Sequence, residues 1–301
     1  MKNLLIGTLT VLTLFAACKK EDHPTTPSGT TYPVQIDVSG FERTSTPMGG
    51  RTAATENIDA AKGNIHYILY TVWDANTQRA IKNIYQTSKK DTGFGRILDT
   101  LAAGRYFISI IGAKDSLFNA QSSGGFYNRL PGSDIFYGRM ELSVSGAVNQ
   151  TLTLNRVVTK LVVHLKDRIP YNTTTLTVGV DGMQNRMWPW LKPFDGQLTP
   201  GINNSYSWSY SYLVPDSLKG KRDVTLPSYM LTLNSFTTDV TISGNDANNV
   251  SLGYKTIRSV IFENNKITYL SGNLFDGAPG GDGMIVTVDP AWKTDSIKAT
   301  F

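Results

Sequence analysis

Along much of this chain apolar and polar residues alternate at a period of two, the pattern of a strand with one wet face. Val34-Gln35-Ile36-Asp37-Val38 is a short, clean case. Ile65-His66-Tyr67-Ile68-Leu69-Tyr70-Thr71-Val72-Trp73 is apolar on both faces and predicts an interior strand, and Arg105-Tyr106-Phe107-Ile108-Ser109-Ile110-Ile111-Gly112 predicts a strand rich in β-branched and aromatic side chains. Residues 80–85 form a weaker candidate, Leu101-Ala102-Ala103-Gly104 reads as a turn, and residues 140–144 and 151–154 close a first set of strands. Residues 40–63, rich in small residues, predict a long loop of the functional or disordered kind.

A second set opens with Val157-Val158-Thr159-Lys160-Leu161-Val162-Val163-His164-Leu165-Lys166, which carries Val157, Leu161, Val163 and Leu165 on one side and Lys160, His164 and Lys166 on the other. Further strands are expected at residues 176–180, 224–226, 230–233, 240–242, 257–262, 266–270, 285–288 and 297–301. No segment shows a sustained helical period. Short strands at intervals, with turn residues between them, predict an all-β chain of two tandem β-sandwiches meeting near residue 150. The expected division is 34–150 and 151–301.

The chain opens differently. Lys2 precedes the apolar run from Leu4 to Ala17, and Cys18 stands directly behind it, followed by Lys19-Lys20-Glu21-Asp22. A basic start, an apolar core and small boundary residues make a secretory signal peptide over residues 1–17. The run is too short to span a bilayer as a helix, which takes about 20 apolar residues. Leu14-Phe15-Ala16-Ala17-Cys18 resembles the lipobox of bacterial lipoproteins, which implies an acylated Cys18 and a membrane anchor. Lys19-Lys20-Glu21-Asp22 is similar to the signal that sends some lipoproteins to the outer face of the outer membrane. Residues 18–33, with prolines at 24, 27 and 33, read as an extended tether.

Composition narrows the function. Of 29 basic and 24 acidic residues in 301, the signal segment holds only Lys2, so the mature surplus is mild. The basic residues are scattered and not interleaved with aromatics, which argues against nucleic acid as a partner. Cys18 is the only cysteine, so neither an intramolecular disulfide nor a thiolate metal cluster is expected.

Leu154-Asn155-Arg156-Val157-Val158-Thr159-Lys160-Leu161-Val162-Val163 resembles the opening of the second domain in fimbrillin-type proteins, the subunits of type V pili. Lys266-Ile267-Thr268-Tyr269-Leu270-Ser271-Gly272-Asn273-Leu274-Phe275 and Val286-Thr287-Val288-Asp289-Pro290-Ala291-Trp292 are similar to its late strands. Ile68-Leu69-Tyr70-Thr71-Val72-Trp73-Asp74 and Leu101-Ala102-Ala103-Gly104-Arg105-Tyr106 fit its first domain. The resemblance implies two transthyretin-like Greek-key sandwiches and no enzymatic activity. It also implies other pilus subunits, the membrane, and host or bacterial surface ligands as partners. Subunits of that family join when an extended strand of one enters a groove of the next, an arrangement bound by main-chain hydrogen bonds and side-chain pockets. Stalk subunits open the groove after a protease cuts behind an arginine. Arg43 and Arg51 stand where such a cut would fall, Arg51 in Met48-Gly49-Gly50-Arg51-Thr52-Ala53-Ala54. An anchor or accessory subunit would keep its first strand and its lipid, and the short tether before Val34 tilts the reading that way.

Catalytic chemistry finds little footing. The histidines are His23, His66 and His164, too dispersed for a metal cluster, and no nucleophile elbow or phosphate-cradling loop is present. No cofactor or metal is expected. Asp276-Gly277-Ala278-Pro279-Gly280-Gly281-Asp282-Gly283 lacks the ligand spacing of an EF-hand and reads as a connecting loop. The competing function is glycan binding at the cell surface. Trp208, Tyr210 and Tyr212 alternate and would share one face of a strand, as would Trp188 and Trp190, and exposed rings can stack on sugars. The ordinary alternative for such stripes is burial in a core.

Overall fold

The computed structural model describes residues 29–39, 65–115, 126–127, 132–183, 186–187, 206–232, 235–276 and 284–289. Among them the chain is all β, with a single 3-10 turn at Asp216–Leu218. In the N-terminal half, β1 (Thr31–Ser39) lies between β4 (Arg96–Ala102) and β8 (Val148–Thr153) in a three-stranded sheet. Facing it is a five-stranded sheet ordered β3-β2-β5-β7-β9, built from β2 (Tyr67–Asp74), β3 (Ala80–Thr87), β5 (Gly104–Ala113), β7 (Ile135–Val144) and β9 (Asn155–Arg156). The core between them gathers Val34, Ile36 and Val38 from β1 with Ile68, Tyr70, Ile97, Leu101, Ile108, Ile110 and Leu154.

The C-terminal half repeats the plan. One sheet is ordered β14-β10-β17-β18, from β10 (Val158–Leu165), β14 (Val224–Leu231), β17 (Ile267–Gly272) and β18 (Met284–Asp289). The other is ordered β13-β11-β15-β16, from β11 (Thr175–Met183), β13 (Tyr206–Leu213), β15 (Phe236–Asn245) and β16 (Ser251–Phe262). Leu161, Val163 and Leu165 of β10 point into this second core, as their alternation predicts, whereas Val157, expected on the same face, precedes the strand and packs in a separate cluster. Each half therefore begins with a strand that pairs antiparallel on one side and parallel on the other. β1 does so with β4 and β8, and β10 with β14 and β17.

Most expected strands are present, and the differences have local causes. The segments expected at 224–226 and 230–233 are one strand that runs through Pro227. β14 is the edge of its sheet, where a residue without an N–H is tolerated. β1 opens at Thr31, so the last three residues of the expected tether are strand. Pro33 precedes Val34, the first residue paired with β8, and no ladder bond to β8 is lost there. β7 begins at Ile135, five residues before the strand start expected at Met140. The strand expected at 297–301 lies outside the described residues.

β5, expected as a strand rich in β-branched and aromatic side chains, is buried along almost its whole length. Tyr106, Ile108 and Ile110 enter the N-terminal core. On the opposite face the Trp73 indole N–H donates to Ser109 Oγ at 2.8 Å, and Arg139 stacks over the Phe107 ring at 4.5 Å. A third cluster, with Ile111, Ala113, Ile135, Tyr137, Val157, Val158 and Leu231, joins the two halves. A short ribbon, β6 (Phe126–Tyr127) paired with β12 (Arg186–Met187), also links them.

Candidate functional site

The feature of greatest functional interest is β1 and its two neighbours. Its even-numbered residues Val34, Ile36 and Val38 are buried, each burial stabilising by roughly 1.5–3 kcal/mol. Its odd-numbered residues face outward. Gln35 Nε2 donates to Asp37 Oδ2 at 2.8 Å, and Arg96 Nε donates to Asp37 Oδ1 at 3.0 Å. The hydrogen bond from Gln35, with smaller help from Arg96, holds the Asp37 carboxyl below the usual carboxylate range. Along its length β1 is held by main-chain bonds on both sides, antiparallel to β4 from Thr31↔Ala102 to Asp37↔Arg96 and parallel to β8 from Val34↔Val148 to Ser39↔Thr153. Without β1, β4 and β8 would flank a slot of apolar pockets with free main-chain groups on both walls, the geometry that accepts an extended strand.

Below this slot lies a polar group that the sequence pattern does not announce. Asp99 of β4 points inward and accepts from the Tyr70 hydroxyl at 3.1 Å and from Lys82 Nζ. Burial first, and the neighbouring Asp99 charge second, push the Tyr70 phenol far above its ordinary value.

The aromatic stripe on β13 has a different setting. Tyr210 and Tyr212 are half-buried, pack against the C-terminal core, and meet edge to face at 4.7 Å between ring centres. The Tyr212 hydroxyl donates to the Pro227 carbonyl at 2.8 Å and lies 2.8 Å from Ser228 Oγ. Burial raises the Tyr212 phenol. The outward positions of the strand are Ser209, Ser211 and Leu213, the last 82% exposed. The Trp208 side chain, Trp188 and Trp190 lie outside the described residues, as do Cys18, Arg43 and Arg51.

His66 stands half-buried just before β2, and its main-chain N–H donates to Ala113 O at 2.9 Å. His164 bridges Asp223 and Ser271, each at 3.2 Å, on the outer face of its sheet. Among the described residues no three metal-ligating side chains converge.

No family model and no curated protein matches the chain. Among solved structures it is similar to a candidate adhesin from Bacteroides ovatus, at 11% identity and a TM-score of 0.48, over 84% of this chain and 88% of that one. A fimbrial assembly protein from Parabacteroides distasonis follows at 11% identity and 0.41, over 86% and 95%. The tip fimbrial protein Mfa3 from Porphyromonas gingivalis stands at 10% and 0.40, over 86% and 98%. These likenesses are too distant to carry an activity across.

Proposed function

We propose that this chain is a non-enzymatic, lipid-anchored fimbrial subunit of the outer membrane surface, an anchor or accessory adhesion subunit that joins its neighbours by strand addition. The observation that carries the reading is the position of β1. It is the first strand of the sandwich, the middle strand of its sheet, and is followed at once by the segment that contains Arg43 and Arg51. A cut behind either arginine would detach β1 from the rest of the chain and free the slot between β4 and β8. A chain that keeps β1 has that slot filled and can join other subunits only elsewhere, which suits the end of a fibre. With Cys18 acylated about a dozen residues before β1, such an end would be fixed to the membrane. Several acyl chains are needed for stable anchorage, since each buried methylene contributes about 0.8 kcal/mol.

Mass spectrometry of the N-terminus of the native protein tests the reading. An acylated Cys18 on the assembled protein is the expected result for an anchor. A start at Thr44 or Thr52 would replace the anchor by a processed, polymerising subunit. A native chain that is neither acylated at Cys18 nor associated with any fibre would sink the proposal. Glycan binding through aromatic rings stays the second reading. Half-burial of Tyr210 and Tyr212 leaves it resting on Trp188, Trp190 and Trp208, and retention on a polysaccharide affinity gel, lost when these three are replaced by alanine, would favour it.

A further inference from the structure

We propose that the two sandwich halves move as one rigid body, locked by a joint centred on Arg156, rather than swinging about a linker. The inference stands apart from the fimbrial reading, because it concerns how the halves are coupled and not what they bind.

The joint has almost no linker. Arg156 still pairs with Phe136 as the end of β9 in the N-terminal half, and Val158 already pairs with Leu231 as the start of β10 in the C-terminal half. Only Val157 lies between, and its own main chain is bound to both sides. Val157 N–H donates to Ile135 O at 3.0 Å, and Val157 O accepts from Thr232 N–H at 2.9 Å. Asn265 N–H donates to Val158 O at 3.0 Å. A hinge needs residues free to change their backbone angles, and here the single connecting residue is bonded at both its N–H and its carbonyl.

The Arg156 side chain spans the same boundary. Nε and Nη2 grip Asp134 Oδ1 and Oδ2 at 2.8 and 3.0 Å, a two-pronged contact to the N-terminal half. Nη1 donates to Asn265 Oδ1 at 2.8 Å, in the turn between β16 and β17 of the C-terminal half. The guanidinium also lies 4.7 Å over the Phe136 ring. The arginine side chain is 9% exposed and the aspartate 10%, so the pair is little weakened by solvent. Around it the cluster of Ile111, Ile135, Tyr137, Val157, Val158 and Leu231 draws on both halves. A planar fork fixes direction as well as distance, so the joint sets one angle between the halves.

The test is a pair of spin labels on the mature chain with Cys18 replaced by serine, which leaves no other thiol. Thr100→Cys on β4 and Ser217→Cys on the exposed turn after β13 place one label on each half. A single narrow distance distribution is expected, and a broad or multi-peaked one overturns the proposal. Arg156→Ala should broaden it. Because Arg156→Ala risks misfolding, Asn265→Ala serves as a milder second variant. A distribution that stays narrow in both variants overturns Arg156 as the lock.

Discussion

Tyr70 donates its hydroxyl to Asp99 across the N-terminal core at 3.1 Å, and this bond ties an interior strand of one sheet to an outer strand of the other. Lys82 shares the same carboxylate from the edge strand β3. Replacing Tyr70 by phenylalanine removes a donor from a buried carboxylate. It should lower the stability of the N-terminal half by about 1.5–3 kcal/mol, the usual worth of a hydrogen bond to a charged group. Urea unfolding followed by tryptophan fluorescence checks this, and an unchanged midpoint would mean that Lys82 and the Thr100 main-chain N–H satisfy Asp99 without the phenol.

Alkaline pH should destabilise the fold. The phenols of Tyr70, Tyr106, Tyr137, Tyr212 and Tyr229 are all raised above 10, with burial the leading cause in each. Their folded forms hold protons that the unfolded chain releases, so stability is fully present below the ordinary phenol value and falls as pH rises past it. Melting temperatures measured from pH 8 to pH 11.5 should stay level up to about pH 10 and then drop, with a shallower drop for Tyr70→Phe.

Ile36→Ala should cost about 2–5 kcal/mol, the range for truncating a buried aliphatic side chain. The strand-addition reading makes a sharper demand. A chain beginning at Thr52 should be stabilised by a synthetic peptide of residues 29–39, and its melting temperature should climb with peptide concentration. A peptide carrying Ile36→Asp should have no effect. Equal stabilisation by both peptides would exclude a specific slot between β4 and β8.

Gly138 of β7 marks a close approach. A methyl group there would meet Thr153 O and Leu154 Cδ2, each at 2.7 Å, and a backbone oxygen cannot swing away as a side-chain tip can. Gly138→Ala should destabilise by about 1–3 kcal/mol, visible as a lower denaturation midpoint.

Cys18→Ala should move the protein from the membrane to the soluble fraction. Unchanged membrane retention would remove lipid anchoring from the proposed function.

The candidate slot was half legible in the sequence. Val34, Ile36 and Val38 alternate with polar neighbours and announce a strand with one buried face. β4 did not announce itself, because Leu98 and Asp99 interrupt an alternation whose core side is Ile97 and Leu101. It turns Leu98 outward, 67% exposed, and Asp99 inward, where Tyr70, Lys82 and the Thr100 main-chain N–H meet the charge. The stripe of Tyr210 and Tyr212 shows the converse: alternation put both rings on one face, but whether that face meets water or a core depends on β13 lying over the C-terminal core.

Sequence by itself determined what depends on neighbours along the chain. It specified period-two alternation and so the strands, the breaks between them, the single cysteine behind a signal-like segment, and an all-β chain. Tertiary structure alone decided partnership. It put β1 between β4 and β8, inserted Asp99 under Tyr70, and turned Asn155-Arg156-Val157-Val158 from a strand opening into a joint between two halves. The reason is physical: alternation is encoded by residues two apart, whereas strand pairing and buried ion pairs join residues tens to a hundred positions apart. Their stability appears only once the whole core excludes water.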